Sequence, residues 1–343
     1  MFGSFGLYSH IEANRRRGYA LLAGLLLLVL VATFGIALVV RGMGWAAPLR
    51  GGFEAYLRAA AWDTLVFSPL SAALAIIWTC FGYHLHQGLI DGVTGSAPAG
   101  LAEEGRVRRL LEPLCISRGM RLPAIKIAED PALNAFATGM NPDQYAVTVT
   151  RGLLDALDEA ELEAVLAHEL THIRNDDVRL MVIAVVIAGG LSFLGEMVFR
   201  GLDLRRTVGA SRREKGSAPA VMIGLALLGV AWLLSLLIRF GLSRSREYLA
   251  DAGAVELTKN PDAMIAALLK IEGNGELARA PSGVMELCVD NPRSGFADLF
   301  ATHPPIAARV DALVRNAGGR LPTLPTAYQP PFLSTPWGRP EAG

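Results

Sequence analysis

The chain has 343 residues, 52% of them hydrophobic and 19% charged, and its mean hydropathy of +0.37 is too high for an ordinary water-soluble domain of this length. Its 32 basic and 32 acidic residues cancel, and no basic stripe with interleaved aromatics runs along it, which argues against a nucleic-acid partner. Cys80, Cys115 and Cys288 lie far apart with no CxxC spacing, which argues against a disulfide framework and against a thiolate zinc site.

Taken in order, residues 1–17 form a short amino-terminal segment that ends in Arg15, Arg16 and Arg17. Gly18 to Val40 then carries no charge and is long enough to span a bilayer; the length of the run and the lack of a small-residue cleavage site mark it as a retained anchor. Thr64 to Tyr83 is a second uncharged run, with Pro69 near its start, so residues 18–83 read as a two-helix transmembrane hairpin. Residues 84–177 are polar and mixed. Val107, Leu110, Leu111 and Leu114 follow a helical period up to Gly119, and "PAIKIAED" and "NAFATGMNPDQYAVTV" read as short strands with a turn at Asn141, Pro142 and Asp143. Residues 178–240 form a second hairpin, Leu180 to Phe199 with Glu196 near one end and Ser217 to Ile238 uncharged, which brings the expected spans to four. Residues 241–317 read as soluble and helical, and residues 318–343 as a proline-rich tail with little periodicity.

The chemistry gathers on "LEAVLAHELTHIRNDD", Leu162 to Asp177. Asp158 and Glu161 have capping-box spacing, and Leu162, Val165, Leu166, Leu170 and Ile173 continue with a helical period. His168 and His172, four residues apart, therefore project from one helix face, where both can grip one zinc ion, while Glu169 stands at the edge of that face as a general base for an attacking water. A catalytic zinc takes three protein ligands and keeps one open position. In "SRSREYLADAGA", Glu247 supplies the third ligand and Asp251, one turn on, accepts the distal N–H of a ligand histidine. Ala250, Gly253 and Ala254 are small enough for this helix to approach the first closely. Asp177 and Glu196 lie out of reach, whereas geometry leaves Asp176 and His303 open as lower-ranked ligands.

Ligands of one ion must lie on one side of a membrane, and the two spans between His172 and Glu247 satisfy that. The arginines before the first span put the amino terminus, and with it the zinc site, in the cytoplasm. The loop with Arg200, Arg205, Arg206, Arg212, Arg213 and Lys215 runs against the same rule, so either the first helix dominates or the second hairpin does not cross fully.

"HELTHIRNDD", "SREYLAD", "NAFATG" and "FATHPP" together resemble the HtpX-type membrane zinc metalloproteases, relatives of the CAAX prenyl proteases, from "GLYSHIEANRRR" to about Asn316. The resemblance implies an α+β zincin-like (gluzincin) catalytic domain, mostly helical, interleaved with about four transmembrane helices. It implies one zinc per chain on His168, His172 and Glu247, with Glu169 as the base. Protein substrates, a role in membrane-protein quality control and a bacterial inner membrane with the catalytic domain in the cytoplasm follow from it. It also casts Asn134 to Gly139 as an edge strand for a substrate backbone, His303 as an oxyanion donor and Arg309 as a supporting residue. The competing readings are a prenyl-protein protease and a non-enzymatic scaffold around a structural zinc.

Overall fold

Long uncharged runs cannot be solvated by water, and here they form long helices. The computed structural model describes residues 7–46, 49, 51–184, 186, 189–190, 200, 217–240, 245–285, 287–291 and 303–322. The chain divides into two compact units. The first comprises Met1–Gly92, Thr138–Asn141 and Asn175–Leu242, and the second Val93–Ala137, Pro142–Arg174 and Ser243–Gly343.

In the first unit, helix α1 spans Leu7–Gly42 and helix α2 spans Gly52–Thr94 with Pro69 inside it. Trp62, Leu70 and Ile77 of α2 are 65%, 56% and 62% exposed, and large apolar side chains turned outward along a whole helix suit lipid rather than water. Among the described residues, Gly52–Thr94 and Ser217–Leu234 are long and apolar enough to cross a membrane, and Leu27–Gly42 is a shorter apolar helix. Most of the expected third span, the arginine-rich loop and the tail beyond residue 322 lie outside the described residues.

Arg41 near the end of α1 pairs with Asp63 of α2 through both carboxylate oxygens, its Nη2 donating to Oδ1 at 2.6 Å. Helix α1 packs on a later helix, Ser217–Phe240, through small residues. A side chain on Gly224 would come within 2.6 Å of the Gly35 carbonyl oxygen, so this approach requires glycine. The apolar period ends at Tyr83, but α2 runs on to Thr94: the chain turns only at Gly95, where φ is +68°. The second unit accordingly starts near Val93 rather than His84.

The second unit holds a four-stranded sheet in the order β1-β2-β4-β3. The strands are β1 (Ser96–Pro98), β2 (Ala124–Ala128), β3 (Ala135–Thr138) and β4 (Ala146–Thr150). β1 is antiparallel to β2, and β2 is parallel to β4, with Ile125 opposite Val147 and Ile127 opposite Val149. Helix α3 (Leu101–Ser117) buries Val107, Leu111, Leu114 and Cys115, the face its periodicity selects, and the chain turns away at Gly119 with φ +63°. Thr150 caps helix α4 (Arg151–Ala156), accepting from the Leu153 N–H.

Helix α5 (Glu159–Arg174) opens with a reciprocal capping box. Asp158 accepts from the Glu161 N–H and Glu161 from the Asp158 N–H, each at 2.9 Å. From Ala164 to Ile173 every side chain of α5 is buried or nearly so, which makes this a core helix whose polar groups all need partners. With Ser217–Phe240 as α6, further helices among the described residues are α7 (Ser245–Thr258), α8 (Pro261–Ile271), the single turn α9 (Ser282–Met285) and α10 (Ile306–Ala317). Asn260 caps α8, and Gly318 ends α10 in the left-handed conformation.

Candidate metal centre

Helices α5 and α7 cross at their small residues. A side chain on Gly253 would collide with Thr171 Cγ2, and Ala250 and Ala254 are fully buried. Thr171 lies between His168 and His172 on α5, so this close approach sets α7 directly against the two imidazoles. Glu247, one to two turns earlier on α7, is thereby carried to them.

His168 Nε2 and His172 Nε2 lie 3.1 Å apart, and Glu247 places Oε2 3.6 Å from the first and Oε1 3.6 Å from the second. A tetrahedral ion with bonds of about 2.0–2.1 Å holds its ligand atoms roughly 3.3–3.4 Å apart, so the three donors have the spacing of one such site. All three residues are buried, and buried Arg309 lies 3.6 Å from Glu247 Oε2 and 2.6 Å from Asp251 Oδ1. The two-nitrogen, one-oxygen donor set fits a divalent cation.

The surrounding groups orient the donors. His168 Nδ1 lies 3.0 Å from Asp251 Oδ1, which turns Nε2 toward His172 and Glu247. Arg309, with no solvent exposure, clamps Asp251 in turn: Nε donates to Oδ2 at 2.8 Å and Nη2 to Oδ1 at 2.6 Å, while Nη1 donates to the Val289 carbonyl at 3.0 Å. Burial alone would raise the Asp251 carboxyl, but the guanidinium overrides it and holds the group below the usual aspartate range. Glu247, also buried, is held well below the carboxylate range by His303, His172 and His168. His303 Nδ1 stands 3.3 Å from Glu247 Oε2. Glu169 goes the other way: burial raises its carboxyl, opposed by the two histidines and by the Ala137 N–H, and only 1% of it is exposed.

Sequence reading and structure differ most at Asn134. Its side chain is fully buried and donates to the Gly275 carbonyl at 2.6 Å and the Asp290 carbonyl at 2.8 Å, so it clamps the second unit's own backbone. A buried amide must satisfy both donors, and the nearest acceptors come from distant loops that no local pattern announces. Sequence reasoning also missed Lys270, which donates to Glu161 at 2.6 Å and ties the start of α5 to α8, and the Ala137 N–H beside Glu169. Backbone donors leave no trace in residue identity.

Two histidines and a glutamate between them on one buried helix, with a second glutamate brought to them from α7, are the arrangement of a metallopeptidase. Residues 101–317 match the model of Peptidase family M48, and the chain belongs to that family. It is 39% identical over 248 residues to the Protease HtpX homolog of Bacteroides fragilis, covering 69% of this chain and 77% of that protein. The HtpX homologs of Dictyoglomus thermophilum and Listeria monocytogenes are 33% and 34% identical over 312 and 320 residues, each covering 90% of this chain, and 94% and 99% of their own length. Among solved structures, the crystal structure of S. mikatae Ste24p aligns with a TM-score of 0.46 at 20% identity, covering 76% of this chain and 60% of that one. The chain is a metalloprotease with apolar helices long enough to cross a membrane.

Proposed function

We propose that this chain is an integral-membrane zinc endopeptidase that hydrolyses misfolded or membrane proteins, with one zinc on His168, His172 and Glu247 and with Glu169 as general base. The observation that carries the reading is the convergence of the three buried donor atoms at 3.1–3.6 Å with Glu169 next to them. Zinc in that position supplies Lewis acidity to a water and to the scissile carbonyl. Glu169 takes the proton of the attacking water and passes it to the leaving amine, a task suited to a carboxylate whose proton affinity is raised by burial. Asp251 and Arg309 hold the His168 ring in place, and His303, whose Nδ1 lies 3.3 Å from Glu247 Oε2, would donate to a developing oxyanion.

The arginines at 15–17 support a cytoplasmic catalytic unit at a bacterial inner membrane. The test is cleavage of an unfolded protein by detergent-purified chain, first stripped with chelator and then given zinc. Wild type is expected to cleave only with zinc. Glu169→Gln should retain stoichiometric zinc and lose at least about 10²-fold in rate, the usual scale for a positioned acid–base group; Glu247→Ala should lose both zinc and activity. Cleavage by Glu169→Gln at the wild-type rate would remove the general-base role.

A further inference from the structure

Helices α7 and α10 meet at the Asp251–Arg309 pair, and beside it they leave a groove of about 510 Å³ with Pro261 of α8 in its wall. Ligand clefts have volumes of roughly 300–1,000 Å³. Tyr248, Val255, Pro261 and Leu313 line the groove with apolar surface, and the buried Asp251 and Arg309 form its deepest wall. Tyr248 is 36% exposed. An open tyrosine ring beside aliphatic surface is the kind of wall on which proline-rich chains dock.

The chain itself leaves the described residues at the end of this groove. Gly318 closes α10 with φ +70° and reverses the path. The Gly319 N–H then donates to the Leu313 carbonyl at 3.3 Å, the Arg320 N–H donates to Asp262 Oδ1 at 2.6 Å, and a side chain on Gly319 would press on Pro261. Leu313 and Pro261 both belong to the groove wall. Leu321, next in line, is an apolar side chain left 62% exposed.

The sequence that follows has the pattern of a groove ligand. A polyproline helix makes one turn in three residues. At that period Leu324, Ala327 and Pro330 share one face and Pro325, Tyr328 and Pro331 the next, while Thr323, Thr326 and Gln329 take the third. Two faces are apolar, and no charged residue stands between Arg320 and Arg339. From Lys259 back to Tyr248 the α7 wall measures about 16 Å at the usual helical rise, which about five residues of polyproline cover. Tyr328 can therefore reach any point along it.

We propose that the groove between α7 and α10 is the docking site of the chain's own residues 323–332, bound as a polyproline strand. Proline fixes φ before docking, so little backbone entropy is lost, and the tether keeps the segment at high local concentration. Docked there, it covers the Asp251–Arg309 pair that steadies the His168 ring and keeps water from it. The docking needs neither metal nor activity, so its test is independent of the peptidase reading.

The test uses the full-length chain in detergent with benzoylphenylalanine, a photo-crosslinking residue, in place of Tyr328. Illumination is expected to join that position, within one chain, to a peptide from residues 248–261 or 309–317, as read by mass spectrometry. Ala252→Trp, which fills the groove from its exposed wall, should lower the yield about tenfold. Pro325→Gly combined with Pro331→Gly should lower it to a similar degree, because it loosens the free segment and alters no residue of the groove. Should Ala252→Trp misfold, the double glycine variant alone decides. No cross-link to those peptides, or a yield that the glycine variant leaves unchanged, would overturn the proposal; cross-linked dimers would overturn it in favour of a second copy in the groove.

Discussion

Arg309 carries a charge with no solvent contact, so the second unit depends on what faces it. Asp251 meets it with two hydrogen bonds, and Val289 supplies a third acceptor. Removing one partner of such a pair strands the other, and Arg309→Ala is expected to lower the unfolding free energy by about 3–5 kcal/mol, read as denaturant unfolding of the detergent-solubilised chain. Zinc affinity should fall too, by about 10–100-fold, because Asp251, which orients His168, loses the group that holds it. Wild-type stability with weakened zinc binding would instead assign Arg309 to the metal alone. The pH dependence has a definite sign. The Asp251 carboxyl is depressed in the fold, so its stabilising contribution is fully present above its unfolded value near 3.8 and is lost as pH falls through the lower folded value. Acid unfolding of wild type should therefore steepen below about pH 4, and Asp251→Asn should remove that component.

At the scale of elements, the site is a helix crossing. The capping box at Asp158 and Glu161 starts α5, and the Lys270 pair ties that start to α8. What lets α7 deliver Glu247 is Gly253, because any Cβ there collides with Thr171. Gly253→Val is expected to push the helices apart by enough to cost about 10²-fold in activity, with zinc content reduced in parallel by metal analysis. Retained zinc and activity would mean that α7 can slide without losing Glu247. The motif spacings, four residues between His168 and His172 and four between Glu247 and Asp251, are legible in the sequence because a helix turns local spacing into a shared face. The closeness of the two helices is hinted at by Ala250, Gly253 and Ala254. That Thr171 is the residue met there is a tertiary fact.

At the scale of the whole molecule, the apolar helices and the chemistry belong to separate compact units interleaved along one chain. The outward-facing large side chains of α2 predict integral membrane behaviour: the chain should stay with the pellet in alkaline carbonate and leave it only in detergent. Release by carbonate would remove the bilayer reading. Composition and periodicity alone determine the apolar runs of α2 and α6, the helical spacing of His168, His172, Glu247 and Asp251, strands β2 to β4 and the capping box, because each depends on residues within one or two turns of one another. Where α2 ends, which carbonyls Asn134 holds and how Arg309 reaches Asp251 across 58 positions were decided by tertiary structure alone. Those contacts join backbone groups and side chains far apart in the chain, where burial demands a partner and the local pattern does not say which one will supply it.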